Sequence, residues 1–131
     1  MRHAAMDPEW EAAVKAGNAS AIESKLTDGA SVDARDRFGQ TALMLSARQG
    51  HERCCRILVA AGADLDMTAK YGLSALMLAV VNHHETIARL LVESGADLTL
   101  LGSGVPGFAG KSAADLARDA GLHNLADLLS C

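Results

Sequence analysis

The chain repeats itself. Residues 39–65 read GQTALMLSARQGHERCCRILVAAGADL, and residues 72–98, thirty-three positions on, read GLSALMLAVVNHHETIARLLVESGADL. Fourteen of these 27 positions are identical. A fixed period near this length constrains the fold more than any single residue does. It marks an array of stacked supersecondary units, none able to bury its apolar face alone, rather than one globular core reached by an irregular path.

Each unit reads as two helices. In the first clear copy a helix starts at Thr41, a capping residue, and runs to about Gln49, where Gly50 breaks it. A second helix runs from Glu52 to about Ala61 and closes at Gly62. Its wet stripe is Glu52, Arg53, Arg56 and Ala60; the rest is apolar, so two faces are buried and one is solvated. Glu52 and Arg56 form an i,i+4 pair that recurs as Glu85–Arg89. Such a pair is worth only about 0.3 kcal/mol, but its recurrence marks the outward face. The next copy places helices over Ser74–Asn82 and Glu85–Ser94, with Gly95 as the stop.

Worn copies flank these two. Asp7-Pro8 is a helix start, since Asp caps free amides and Pro suits the first helical position. Helices are expected over Pro8–Ala16 and Ala19–Thr27, after a loose lead-in over Met1–Met6. Gly17 and Gly29 lie thirty-three residues before Gly50 and Gly62. Trp10 stands where Leu43 and Leu76 stand, while Ser24 and Lys25 replace Ile57 and Leu58. Such polar replacements suit a terminal unit with a neighbour on one side only. At the other end, Gly110-Lys-Ser-Ala-Ala-Asp-Leu-Ala lies thirty-eight residues after Gly72. Five residues are therefore inserted into the Gly-rich link Leu98–Ala109, whose tip around Pro106 is expected to be mobile. Helices follow over Ala113–Ala120 and Leu122–Leu129, with Asp115 and Arg118 in the places of Met77 and Val80. The expectation is one domain over residues 1–131, with units at 6–38 (N-terminal cap), 39–71, 72–109 and 110–131 (C-terminal cap).

Composition agrees with an all-α repeat solenoid. Half of the 131 residues are apolar, but only four are Phe, Trp or Tyr; a core rich in Ala and Leu is a helix-packing core. A net charge of −4 argues against a general nucleic-acid binder. No run of eighteen apolar residues is present to span a membrane. The first residues lack the apolar stretch of a signal peptide, and three cysteines, two of them adjacent, make a poor disulfide framework. The expectation is a soluble chain of a reducing compartment, cytoplasmic or nuclear and not secreted. Cys131 is expected to be exposed and open to adventitious disulfide formation.

The period, the helix–turn–helix pattern, Gly39-Gln-Thr41-Ala-Leu43, Gly50-His51 and Gly62-Ala-Asp64, with their counterparts Gly72, Ser74, Leu76, His84 and Gly95-Ala-Asp97, resemble the ankyrin repeat. The resemblance covers about Asp7 to Leu129. One departure is plain: the family's Thr-Pro-Leu-His becomes Thr41-Ala42-Leu43-Met44 and Ser74-Ala75-Leu76-Met77. The hydrogen bonds made through that histidine are therefore missing, and lower stability than a consensus array is expected, with Met as flexible filler. The resemblance implies paired antiparallel helices whose links project as hairpin-like fingers. It also implies a non-catalytic protein that binds another protein through the fingers and the exposed side of each first helix. Carried over by position, that surface is Arg35, Arg37, Phe38, Gln40, Arg48 and Gln49 in the second unit. In the third it is Thr68, Lys70, Tyr71, Leu73, Val81 and Asn82. Lys15 precedes these; Lys111 and Asp119 follow.

This set carries information of its own. It holds six of the twelve Lys and Arg residues but one of the sixteen acids. Phe38 and Tyr71 sit at equivalent places one period apart. A basic, aromatic strip on an acidic protein suits an acidic or phosphorylated partner segment, and Arg and Tyr are frequent binding hot spots. The plainer alternative is that the finger tips are merely solvated and that Phe38 and Tyr71 fold onto their own links.

Two other constellations suggest a metal- or nucleotide-responsive protein instead. His51, Cys54 and Cys55 stand at i, i+3 and i+4, with His83 and His84 one unit on. Yet Cys54 and Cys55 occupy positions that are Ile87 and Ala88 in the next copy, so they read as core, and ligand number for a metal is lacking. The Gly102–Gly107 stretch before Gly110-Lys111-Ser112 lacks the spacing of a phosphate loop. It reads as an insertion that either extends the binding surface through Leu100, Leu101, Val105 and Phe108 or covers the end of the stack. The reading of the sequence is thus a monomeric protein-binding module acting as adaptor, scaffold or inhibitor, with no cofactor, metal, nucleic acid or membrane partner.

Overall fold

The computed structural model describes residues 5–130; the expectations for Met1–Ala4 and Cys131 lie outside them. Eight α-helices are present among these residues: α1 (Pro8–Ala16), α2 (Ala19–Thr27), α3 (Ala42–Gln49), α4 (Glu52–Ala60), α5 (Ala75–Val81), α6 (Glu85–Glu93), α7 (Ala113–Asp119) and α8 (His123–Leu129). Each expected helix is found, with ends shifted by at most a residue or so. Consecutive helices pair, and the pairs stack: α1, α3, α5 and α7 form one layer, and α2, α4, α6 and α8 the other. The links within pairs are only two or three residues long, which forces each second helix back along the first.

Local chemistry places the helix ends. The Asp7 carboxylate accepts from the amides of Glu9 and Trp10 at 3.1 and 3.2 Å. The hydroxyls of Thr41 and Ser74 accept from Met44 and Met77. Ser112 and Asp115 form a reciprocal capping box. The first-layer helices are the more deeply sunk: residues 42–47 and 75–80 are all buried. Met44 and Met77, in the place of the family's His, are packed core residues at 1 % exposure each. On α4 the outward stripe is as expected, with the Arg56–Glu52 pair at 3.0 Å. Its counterpart Glu85–Arg89 is not an ion pair; side chains on a solvated face gain too little from meeting to hold one geometry. The lead-in also differs from expectation at its inner end. The Met6 amide donates to the Arg35 carbonyl at 2.9 Å and Met6 is buried, so Ala5–Met6 docks on the link that carries Arg35.

Successive pairs meet closely at one recurring place. The His51 ring lies on Gly17 and the His84 ring on Gly50; a Cβ on either glycine would fall 2.6 Å from ring carbon. Both glycines also need their left-handed backbone, at φ 67° and 81°. The equivalent position in the third pair is His83, a non-glycine at φ 62°. There the residue that follows in register in the fourth pair is no longer histidine but Leu122. A side chain at this position and an imidazole from the next unit exclude each other.

Carboxylates of the links tie neighbouring units as well. Asp33 accepts from the Asp64 amide at 2.9 Å, and Asp66, one period on, accepts from the Asp97 amide at 2.8 Å. Hydrogen bonds from Thr99 hold the Asp97 carboxyl below its ordinary value, and those from Ser112 do the same for Asp115. A depressed folded-state pKa contributes stability that is present above the unfolded value and lost as pH falls through the folded one.

Two outcomes are expected. Gly50→Ala destabilises more than Gly62→Ala: both pay for a left-handed alanine, about 1–2 kcal/mol, but only Gly50 meets a ring, while nothing lies within 4 Å of a Cβ at Gly62. His83→Gly stabilises by about 0.5–1 kcal/mol by relieving the same strain. Chemical denaturation of the three variants checks both signs. In acid, the melting temperature holds down to about pH 5 and falls below about pH 4; Asp97→Asn and Asp115→Asn make that acid limb shallower in a melting series.

Candidate functional site

The second and third links fold as narrow fingers beside α3 and α5, each closed by an antiparallel bridge, Arg35 to Thr41 and Thr68 to Ser74. In the second finger the buried Asp36 carboxylate accepts from the amides of Phe38 and Gln40, both at 2.9 Å. The third finger has Ala69 at that position and no such anchor. It turns instead through a short 3-10 segment, Lys70–Gly72, in which Tyr71 takes a left-handed backbone at φ 65°. Outside help holds this turn: the Ser103 amide donates to the Tyr71 carbonyl at 2.7 Å, and the Phe108 ring packs on Tyr71 with centroids 5.7 Å apart.

Between these fingers lies an open groove of about 550 Å³. Its floor is apolar, from Ala69, Leu73, Leu78 and Val81; Phe38 stands on one side, with Tyr71 and Phe108 also on its walls. Gln40, Arg48, Lys70 and Asn82 supply its polar lining, and no acidic side chain lines it. Phe38 is 60 % exposed, the largest exposure among the big apolar side chains described. It does not fold onto its own link. Arg37 lies over its ring at 4.9 Å, and Lys70 lies 5.0 Å from the Tyr71 centroid, both within cation–π range.

Eight of the fifteen residues expected on the contact surface therefore share one groove: Phe38, Gln40, Arg48, Lys70, Tyr71, Leu73, Val81 and Asn82. Leu73 belongs to its floor and is 6 % exposed. The other seven differ in role. Arg35 is a tie: its guanidinium donates to the carbonyls of Gly39 and Thr68, the latter at 3.1 Å and in the next finger. Thr68 is half-buried at the bridge that closes its own finger. Arg37 backs Phe38 from outside the groove, and Gln49 is exposed on α3 beyond it. Lys111 pairs with Asp119, and Lys15 with Glu11 at 2.6 Å. The basic strip thus narrows to Arg37, Arg48 and Lys70, none of which meets a carboxylate among the described residues.

The lining residues that a position-by-position transfer missed are Ala69 and Leu78; Phe108, one of the loop residues weighed as an extension of the binding surface, is a wall of the groove. The inserted loop brings Phe108 there. The Gly102 amide donates to the Lys111 carbonyl and its own carbonyl accepts from Gly110, closing the loop at its base. A Cβ on Gly102 would sit 2.4 Å from the Phe108 carbonyl, so this crossing admits only glycine. Leu101 stays 56 % exposed. The loop thus leans on the third finger and places Phe108 in the wall of the groove.

The His/Cys face is built differently. Cys54 and Cys55 are buried in the core cluster at 1 % and 0 % exposure, and burial pushes the Cys55 thiol up to about 12. His84 sits with its Nε2 3.2 Å from the Arg48 carbonyl. Among the described residues, no three His, Cys, Asp or Glu side chains converge as a metal site would need. At the start of α7 the Asp115 carboxylate accepts from the Ser112 amide and the Ser112 hydroxyl accepts from the Asp115 amide, and Lys111 is held by Asp119. No described helix is long and apolar enough to cross a membrane.

A family model described as ankyrin repeats (three copies) matches residues 10–101. No curated protein matches the chain.

Arg35 and Arg48 are expected to part company on substitution. Arg35→Ala, which frees two carbonyls, lowers stability by about 1–2 kcal/mol, whereas Arg48→Ala stays within about 0.5 kcal/mol of the parent. Urea unfolding of the two variants side by side reads this difference.

Proposed function

This chain belongs to the ankyrin repeat family, and from that premise we propose that it is a non-catalytic module that binds another protein in the groove between its second and third fingers. Ankyrin repeats are generally protein–protein interaction modules. The finer assignment rests on one observation: the residues that differ between the two clear repeats gather around a single apolar hollow with cations and no acids on its rim. On a chain of net charge −4, that local reversal favours an acidic or phosphorylated segment of the partner. The module then acts by occupying, scaffolding or masking, as an adaptor or inhibitor, and is monomeric, in cytoplasm or nucleus. The fourth helix pair, with Asp115 and Arg118 where the third has Met77 and Val80, serves as the polar terminal cap of the stack.

The test spares Arg35, whose loss would disturb the fingers themselves. Phe38→Ala/Arg48→Glu/Lys70→Glu is compared with Arg53→Glu/Arg89→Glu, which reverses two charges on the opposite layer. Quantitative affinity capture is expected to retain partners on wild type and on the second variant and to lose them on the first, with all three folded by circular dichroism. Equal capture by all three would remove the groove from the account.

A further inference from the structure

We infer that the groove takes a short segment bearing one large apolar side chain with aspartate or glutamate close beside it, and that unphosphorylated carboxylates suffice. This rests on the preceding reading that the finger face binds protein, and it adds the chemistry of what is bound. The hollow is a single pocket of about 550 Å³, inside the usual range of roughly 300–1,000 Å³ for one ligand. It suits one anchor side chain with flanking backbone. Its floor offers that anchor no polar side chain, and Phe38 is exposed enough to close over it.

The choice of carboxylate over phosphate follows from how the cations are arranged. A phosphate dianion is best met by several donors converging on one point, typically an arginine cluster or a nest of backbone amides. Here the cations are spread over three elements. Arg48 is on α3, where its guanidinium lies 3.5 Å from the Gln40 side chain. Lys70 stands over Tyr71 in the third finger, and Arg37 over Phe38 in the second. The amides of Phe38 and Gln40, which form the nearest turn, are already taken by Asp36. Separate single cations beside aromatic walls match separate single carboxylates along a chain.

The inserted loop makes the site particular to this chain. Tyr71 is held at positive φ by the Ser103 amide and by Phe108. A strained residue kept in place by its surroundings is a frequent mark of a ligand clamp.

Phage-displayed random twelve-residue peptides, selected on the immobilised full chain, test this directly. The enriched peptides are expected to share one Leu, Phe, Trp or Met with acidic residues nearby. Their synthetic forms should bind Arg48→Glu/Lys70→Glu at least tenfold more weakly, and that variant should itself select basic flanks. Phe38→Ala, at a site too exposed to affect folding, should also weaken them. Enriched anchors with neutral or basic flanks, or acidic peptides indifferent to the charge reversal, overturn the inferred chemistry. The groove itself still stands in those cases if Phe38→Ala weakens binding. Peptides that bind Phe38→Ala and the charge-reversed variant as well as wild type remove the groove altogether. Phosphoserine replacing the acids with a tenfold or greater gain would make this a phosphate site and overturn the choice. A concentration-dependent dimer, blocked by Phe38→Ala in sedimentation, would give the groove to a second copy and likewise overturn it.

Discussion

A histidine ring resting on a glycine joins the first helix pair to the second and the second to the third. His51 on Gly17 and His84 on Gly50 leave no room for a Cβ, so at these two junctions ring and glycine together set the step of the stack. The His84 ring also reaches the preceding unit's backbone, its Nε2 3.2 Å from the Arg48 carbonyl, whereas the buried Nδ1 of His51 has no hydrogen-bond partner among the described residues. With the step fixed, α3 and α5 lie side by side and bury their apolar faces continuously, as repeat units must since none is stable alone. The fingers, carried on those helices, then stand at a set separation, and the hollow between them is a consequence of the step.

Two sets of residues divide the labour along this frame. The recurring ones build it. Thr41 and Ser74 cap, Leu43 and Leu76 fill the core, Gly62 and Gly95 stop helices, and Asp33 and Asp66 tie one link to the next. The groove is made where the copies disagree. Asp36 anchors the second finger, but Ala69 leaves the third without an anchor, and a strained Tyr71 braced by the inserted loop takes over. Arg48 and Val81 face each other's unit from the same register on α3 and α5, one charged and one apolar. An array of identical units would present the same strip at every step; this one presents a distinct apolar hollow between its second and third fingers.

Much of the frame was legible in the sequence because it depends on period and local propensity. Helix positions, caps and the buried character of Cys54 and Cys55 all follow from comparing one copy with the next. The contacts that escaped are those made to backbone atoms, which sequence does not index. Arg35 looked like a surface cation, and it proves to be a tie because two carbonyls of neighbouring fingers come within its reach. Ala5–Met6 read as a loose end because nothing in its letters announces the Arg35 carbonyl. Phe108 was placed in the loop but not against Tyr71, since an insertion carries no register. The exchange of Gly50 for His83 with the loss of the next imidazole at Leu122 was visible in the letters, yet it has meaning only once ring and glycine are seen to touch.

The account stands or falls on whether recognition occurs in the hollow where the copies differ. Hydrogen–deuterium exchange of the full chain, free and saturated with its captured partner, measures that most directly. The expected result is slowed exchange in residues 37–49, 69–82 and 102–109, with α4 and α6 unchanged. Protection confined to α2, α4, α6 and α8, with both fingers exchanging as in the free chain, would contradict it.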